Sequence, residues 1–158
     1  MNWHPIEERL IWPEKYAEIF APLLNSYVPY VGQQTNEEWN MDVERTYKEA
    51  LSYVGSLYLA SQNREGTMTL CRRAMGFSAM IPYAFLQMVK EGRPRALAVL
   101  SCFYALTKPL ENVWWIGDMG NKIVLAINHE LPVEWKEIMQ WPLQMILEMG
   151  AMDTAAAQ

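Results

Sequence analysis

The sequence predicts an all-α, single-domain bundle of seven or eight helices around a buried central helix, and three observations carry that reading. Apolar residues recur at three- and four-residue spacing along most of the chain. No segment sustains strand alternation, and neither an Asn-Gly nor an Asp-Gly hairpin signal occurs. The third observation is the stretch from Pro94 to Leu106, in which Ala96 to Leu106 holds no charged residue and only Ser101 is plainly polar. Such a helix has no side that faces water cheaply, so the other helices must wrap it. Pro94 suits its first position, where the missing N–H would be an orphan anyway, and Gly92 suits the end of the helix before it.

Three domain segments follow from the pattern: a Pro-rich arm over 1–30, a helical ligand-pocket domain over 31–150, and a small polar tail over 151–158 expected to be disordered. Pro5, Pro13, Pro22 and Pro29 leave the arm room for one helix, about Glu14 to Asn25. Its ordering requires burial of Trp3, Trp12 and Phe20, against the rest of the chain or across an oligomer interface. Thr35 followed by Glu38 reads as a capping box that opens a long helix through about Gln62. Trp39, Val43, Tyr47, Ala50, Val54, Leu57 and Tyr58 form its apolar side, with Glu37, Glu44, Arg45, Lys48 and Glu49 on the wet side.

A short helix is expected over Thr67 to Gly76, another over Pro82 to Glu91, and then the central helix, which Pro109 ends or kinks. From about Glu111 to Asn128 the period is helical again, with Trp115, Met119, Ile123 and Ile127 on one stripe and Ile116, Gly120 and Val124 beside it. A short helix with Trp135, Ile138 and Met139 precedes a last one over Leu143 to Met149.

At 158 residues, one domain removes about 68–70% of the unfolded surface from water, so no staple is required. Cys71 and Cys102 lie in apolar contexts and read as reduced, packed thiols of an intracellular protein, cytoplasmic or nuclear. Two Cys and two His without ligand spacing offer no metal site, and no cofactor is expected. A net charge of −5 opposes a nucleic-acid surface. No run of 18 apolar residues suggests a membrane span, and no basic-then-apolar start suggests a signal peptide.

Seven Trp, eight Tyr and eleven Met are many for so short a chain. Aromatic rings with Met suit an adaptable apolar cavity, and they also suit a Met-rich core.

The succession Pro94-Arg95-Ala96-Leu97-Ala98-Val99-Leu100-Ser101, Phe103-Tyr104-Ala105-Leu106, Trp114-Trp115-Ile116 and Trp141-Pro142 resembles the C-terminal regulatory domain of fungal binuclear zinc-cluster transcription factors of the sterol uptake control type. The resemblance covers roughly Leu70 to Leu147. It implies an all-α bundle around a hydrophobic pocket for a sterol-like ligand, usually dimeric and attached to a DNA-binding cysteine cluster. Only two cysteines stand here where that cluster needs six, so DNA binding in the family's manner is not expected. The chain then reads either as a trimmed piece or as a stand-alone protein without the DNA reader. Beyond the double tryptophan the family pattern places a Gly and a large aromatic, whereas this chain reads Gly117-Asp118-Met119-Gly120.

Two functions are therefore expected. In the first, an apolar metabolite of sterol, terpenoid or polyketide type is the partner, held by Met75, Phe77, Met80, Phe85, Phe103, Tyr104, Trp114, Trp115 and Met119, in a possible homodimer. In the second, the pocket performs cofactor-free cyclisation, isomerisation or dehydration. Its first candidate acid or base is Asp118, with Tyr104, Lys122 and His129 behind it, because a desolvated carboxyl has a raised pKa. Asp118 also stands four residues before Lys122, the spacing of a surface ion pair. His129 equally suits a helix end.

Overall fold

The computed structural model describes residues 20–29, 31–64, 66–110, 113 and 116–156. Among these residues there are six α-helices: α1 (Met41–Gln62), α2 (Thr67–Met80), α3 (Tyr83–Lys90), α4 (Pro94–Ala105), α5 (Met119–Glu130) and α6 (Gln140–Ala156). Single 3-10 turns lie at Ala21–Leu23, Lys108–Leu110, Val133–Trp135 and Glu137–Met139. Among the described residues, extended pairing is limited to one isolated bridge between Tyr27 and Gln34. The helical class is as expected, and the α-helix count is close to the seven or eight anticipated. The arm before Phe20, with Trp3 and Trp12, and the double tryptophan Trp114-Trp115 lie outside the described residues.

α4 is the axis of the fold and packs against α1, α3, α5 and α6. Ala96, Ala98, Val99, Ser101, Cys102, Phe103 and Ala105 on it are buried. Ser101, buried at its middle, is satisfied within the helix, its hydroxyl donating to the Ala98 carbonyl at 2.7 Å. Cys102 and Cys71 are buried free thiols, and burial pushes the Cys102 thiol up to about 12. No described helix is long and apolar enough to cross a membrane, and no group of three or more His, Cys, Asp or Glu among the described residues is placed to hold a metal ion.

Several boundaries differ from the sequence pattern, and in the arm the described part of the helix expected over Glu14 to Asn25 holds a 3-10 turn at Ala21–Leu23. α1 begins at Met41, because Asn40 is its cap and accepts from the Val43 N–H at 2.9 Å. Thr35 instead bonds back to the Ser26 carbonyl through both its amide and its hydroxyl, closing the loop. α2 runs on to Met80 and stops where Ile81 turns extended ahead of Pro82. Within the described part of the helix expected over Glu111 to Asn128, α5 begins at Met119, after Gly117 with φ +55°. α6 extends to Ala156, beyond the Met149 expected and into the tail.

Glu37 also needs correction. Placed before α1 rather than on its wet face, its side chain is only 10% exposed and faces Arg95, which is 0% exposed. Arg95 Nε donates to Glu37 Oε1 at 3.0 Å, Nη1 to the Leu23 carbonyl at 2.8 Å and Nη2 to the Tyr27 carbonyl at 3.1 Å. Glu37 Oε2 accepts from the Tyr47 hydroxyl at 2.5 Å and from Arg93 at 3.2 Å. Trp39, Trp135 and Tyr47 surround the guanidinium, their ring centres 4.8, 5.2 and 5.8 Å away. Burial, followed by the Glu37 carboxylate it serves, holds the Tyr47 phenol far above its ordinary value.

Breaking a buried pair from one side strands the other charge, at a cost of about 3–5 kcal/mol. Glu37→Gln is accordingly expected to lower stability by about 3 kcal/mol in urea unfolding, and Glu37→Gln with Arg95→Met by less than the sum of the two single losses. Strict additivity would show that the groups do not act as a unit.

α4 and α5 come close together at Gly120. A β-carbon there would lie 2.6 Å from the Tyr104 carbonyl oxygen and nearer still to Thr107 Oγ1. Gly76, inside α2, meets nothing within 4 Å. Alanine gains about 1 kcal/mol over glycine in a helix, and overpacking costs about 1–3 kcal/mol. Gly76→Ala should therefore raise the unfolding midpoint and Gly120→Ala should lower it; a rise for both would mean that α4 and α5 have slack between them.

Candidate functional site

The contact at Gly120 leaves a groove beside it. With no β-carbon in the way, the first turn of α5 sits on the last turn of α4, and α2 closes the third side. Ala74 and Met75 of α2, Phe103 and Tyr104 of α4, Thr107, Ile116, and Met119 and Gly120 of α5 line a partly open cavity of about 150 Å³. Its floor is rigid: Phe103 stacks on Phe77 with ring centres 3.8 Å apart and 13° between planes. Tyr104 meets Phe103 edge-on at 5.1 Å. Met75 and Met119, about half exposed, form the rim.

The lining is almost entirely apolar. Thr107 uses its polar atoms locally, its hydroxyl donating to the Tyr104 carbonyl at 2.7 Å and its amide at 3.1 Å to the same oxygen. Among the described residues of the lining, Tyr104 carries the one ionisable side chain, and burial raises its pKa, so the phenol stays protonated at neutral pH. It serves as a hydrogen-bond donor or acceptor rather than as a base.

Met75, Phe103, Tyr104 and Met119 thus come together from three helices. Phe77 lies behind them as part of the floor. Met80 is at the exposed end of α2, outside the lining. Phe85 is fully buried elsewhere, edge-on to Tyr47 at 6.3 Å beside the Arg95 cluster, because the break at Ile81-Pro82 turns α3 away from the groove.

The charged candidates stand in water. Asp118 precedes α5 with its side chain 64% exposed, 3.5 Å from Lys122 Nζ, and neither residue lines the cavity. His129 sits exposed in the last turn of α5, 3.4 Å from Glu130. The desolvation that would make Asp118 a useful acid is thus missing.

Ala74, Thr107, Ile116 and Gly120 complete the lining and were not among the residues expected there. Ile116 and Gly120 carried a signal, since both fall beside the Met119 stripe. Thr107 carried none beyond its place ahead of Pro109.

No family model matches the chain, and no solved structure matches it. Over 80 residues, 49% of this chain, it is 34% identical to a Zn(2)-C6 fungal-type transcription factor of Gibberella zeae. The similarity is to part of that protein. The aligned part is 16% of the relative's own length, so the chain corresponds to a small portion of that transcription factor.

An exposed i, i+4 pair contributes about 0.3–0.5 kcal/mol. Asp118→Asn should change stability by less than about 0.5 kcal/mol in denaturant unfolding, and a loss of 2 kcal/mol or more would place this carboxylate in a role that its exposure does not suggest.

Proposed function

We propose that this chain is a helical regulatory module, of the kind attached to fungal zinc-cluster transcription factors, that takes up an apolar small molecule in the groove between α2, α4 and α5. The observation that carries the reading is the groove itself. Two aromatic rings and two methionines from three helices enclose an apolar volume on the central helix of a chain related to such a transcription factor. A module that reports on a metabolite needs a site whose filling is felt by several elements, and this one joins three.

Size narrows the ligand. Pockets that enclose a drug-sized molecule hold about 300–1,000 Å³, and this cavity holds about 150 Å³. A whole sterol does not fit inside. One ring or a short branched chain does, with any remaining part of the molecule lying out across Met75 and Met119. A regulatory module of this family would act inside the cell, in the nucleus with its DNA-binding partner, as a homodimer or as a single copy.

Thermal unfolding with a panel of a monocyclic terpenoid, a bicyclic terpenoid and a sterol tests the proposal. Binding at a hundred times Kd stabilises by about 2.7 kcal/mol, a rise of several degrees in Tm for a chain of this length. Met119→Glu is expected to abolish the rise while leaving the fold in place, because an acid is favoured in the first turn of α5 but spoils the apolar rim. A Tm that no panel member moves would sink the proposal.

A further inference from the structure

We infer that the groove selects a six-membered carbon ring bearing one uncharged oxygen, and that the Tyr104 hydroxyl is the group that reads this oxygen. The inference rests on the groove being a ligand site and names the chemistry of its ligand. About 150 Å³ of apolar space is the size at which a protein cavity accepts a single benzene-sized ring. The stacked Phe77 and Phe103 form the floor beneath such a ring.

Polarity is set by what remains uncommitted. Among the described residues of the lining, Tyr104 and Thr107 are the ones whose side chains carry oxygen, and the Thr107 hydroxyl is already bonded to the Tyr104 carbonyl. The Tyr104 hydroxyl has no hydrogen-bond partner among the described residues. Its ring sits edge-on to Phe103, with ring centres 5.1 Å apart. A protonated phenol donates to a ketone or ether oxygen, and it both donates to and accepts from an alcohol. A carboxylate or an amine is excluded, because the lining offers no opposite charge to offset its desolvation.

A matched pair of probes separates shape from polarity: p-cresol and p-xylene differ only by a hydroxyl in place of a methyl group. Binding is read on the full chain from the ¹³C-methyl NMR signals of its methionines, with Met75 and Met119 as reporters at the rim. Both probes are expected to shift these two signals in the wild type. Tyr104→Phe keeps the ring and should weaken p-cresol about five-fold, the range of one neutral hydrogen bond, while p-xylene stays unchanged. Tyr104→Met, apolar and flexible, is the second variant and should show the same selective loss.

Equal weakening of both probes, or no weakening of p-cresol, overturns the polar role of Tyr104 and leaves the groove as a ligand site. If neither probe moves the rim methionines of the wild type, the groove reading itself falls and this inference with it.

Discussion

One guanidinium holds the first part of the described chain to the helical bundle. Arg95 sits at the start of the central helix with no exposure to water, and its donors reach the Leu23 and Tyr27 carbonyls and the Glu37 carboxylate. Those acceptors belong to a stretch with a single 3-10 turn and an isolated bridge, which has few regular hydrogen bonds of its own. Three aromatic rings around the guanidinium exclude water and strengthen each of these bonds in a low-dielectric setting. The result is directional in a way that hydrophobic burial is not. It sets where the chain before α1 lies against α4.

The groove depends on a different constraint at the other end of the same helix. Arg95 anchors the first turn of α4, and Gly120 lets α5 rest on the last turn, where the Tyr104 carbonyl takes both Thr107 donors. That arrangement brings Met119 over Phe103 and Tyr104 and leaves the Tyr104 hydroxyl as the groove's uncommitted polar group. The two ends thus divide their tasks: a polar lock at one, an apolar opening at the other. The exposed Asp118–Lys122 pair lies outside the described lining.

The helical order is legible in the residue order itself. The all-apolar run from Ala96 to Leu106 marked the central helix because a helix without a polar side has only one stable place. Helical spacing in α1 and α3 and the Pro94 start were legible for similarly local reasons. Met75, Phe103, Tyr104 and Met119 were named together on composition and resemblance. Their shared cavity, with Phe77 behind and Phe85 far off, follows from the turns at Ile81-Pro82 and Gly117, whose directions no periodicity encodes.

Glu37 shows the limit most clearly. Among charged neighbours it reads as one more solvated carboxylate, and only an arginine 58 positions later, brought in by packing, makes it the partner of a buried charge. The same holds for Asp118, whose sequence context of apolar neighbours suggested a hidden acid and whose position just ahead of α5 puts it in water. Local order, helix type and the identity of the central element are properties of neighbouring residues, and the residue order settles them through propensity, capping and periodicity. Which charges are buried, which rings meet and which hydroxyl is left unpaired depend on distances between segments far apart in the chain, and only the folded packing sets those distances.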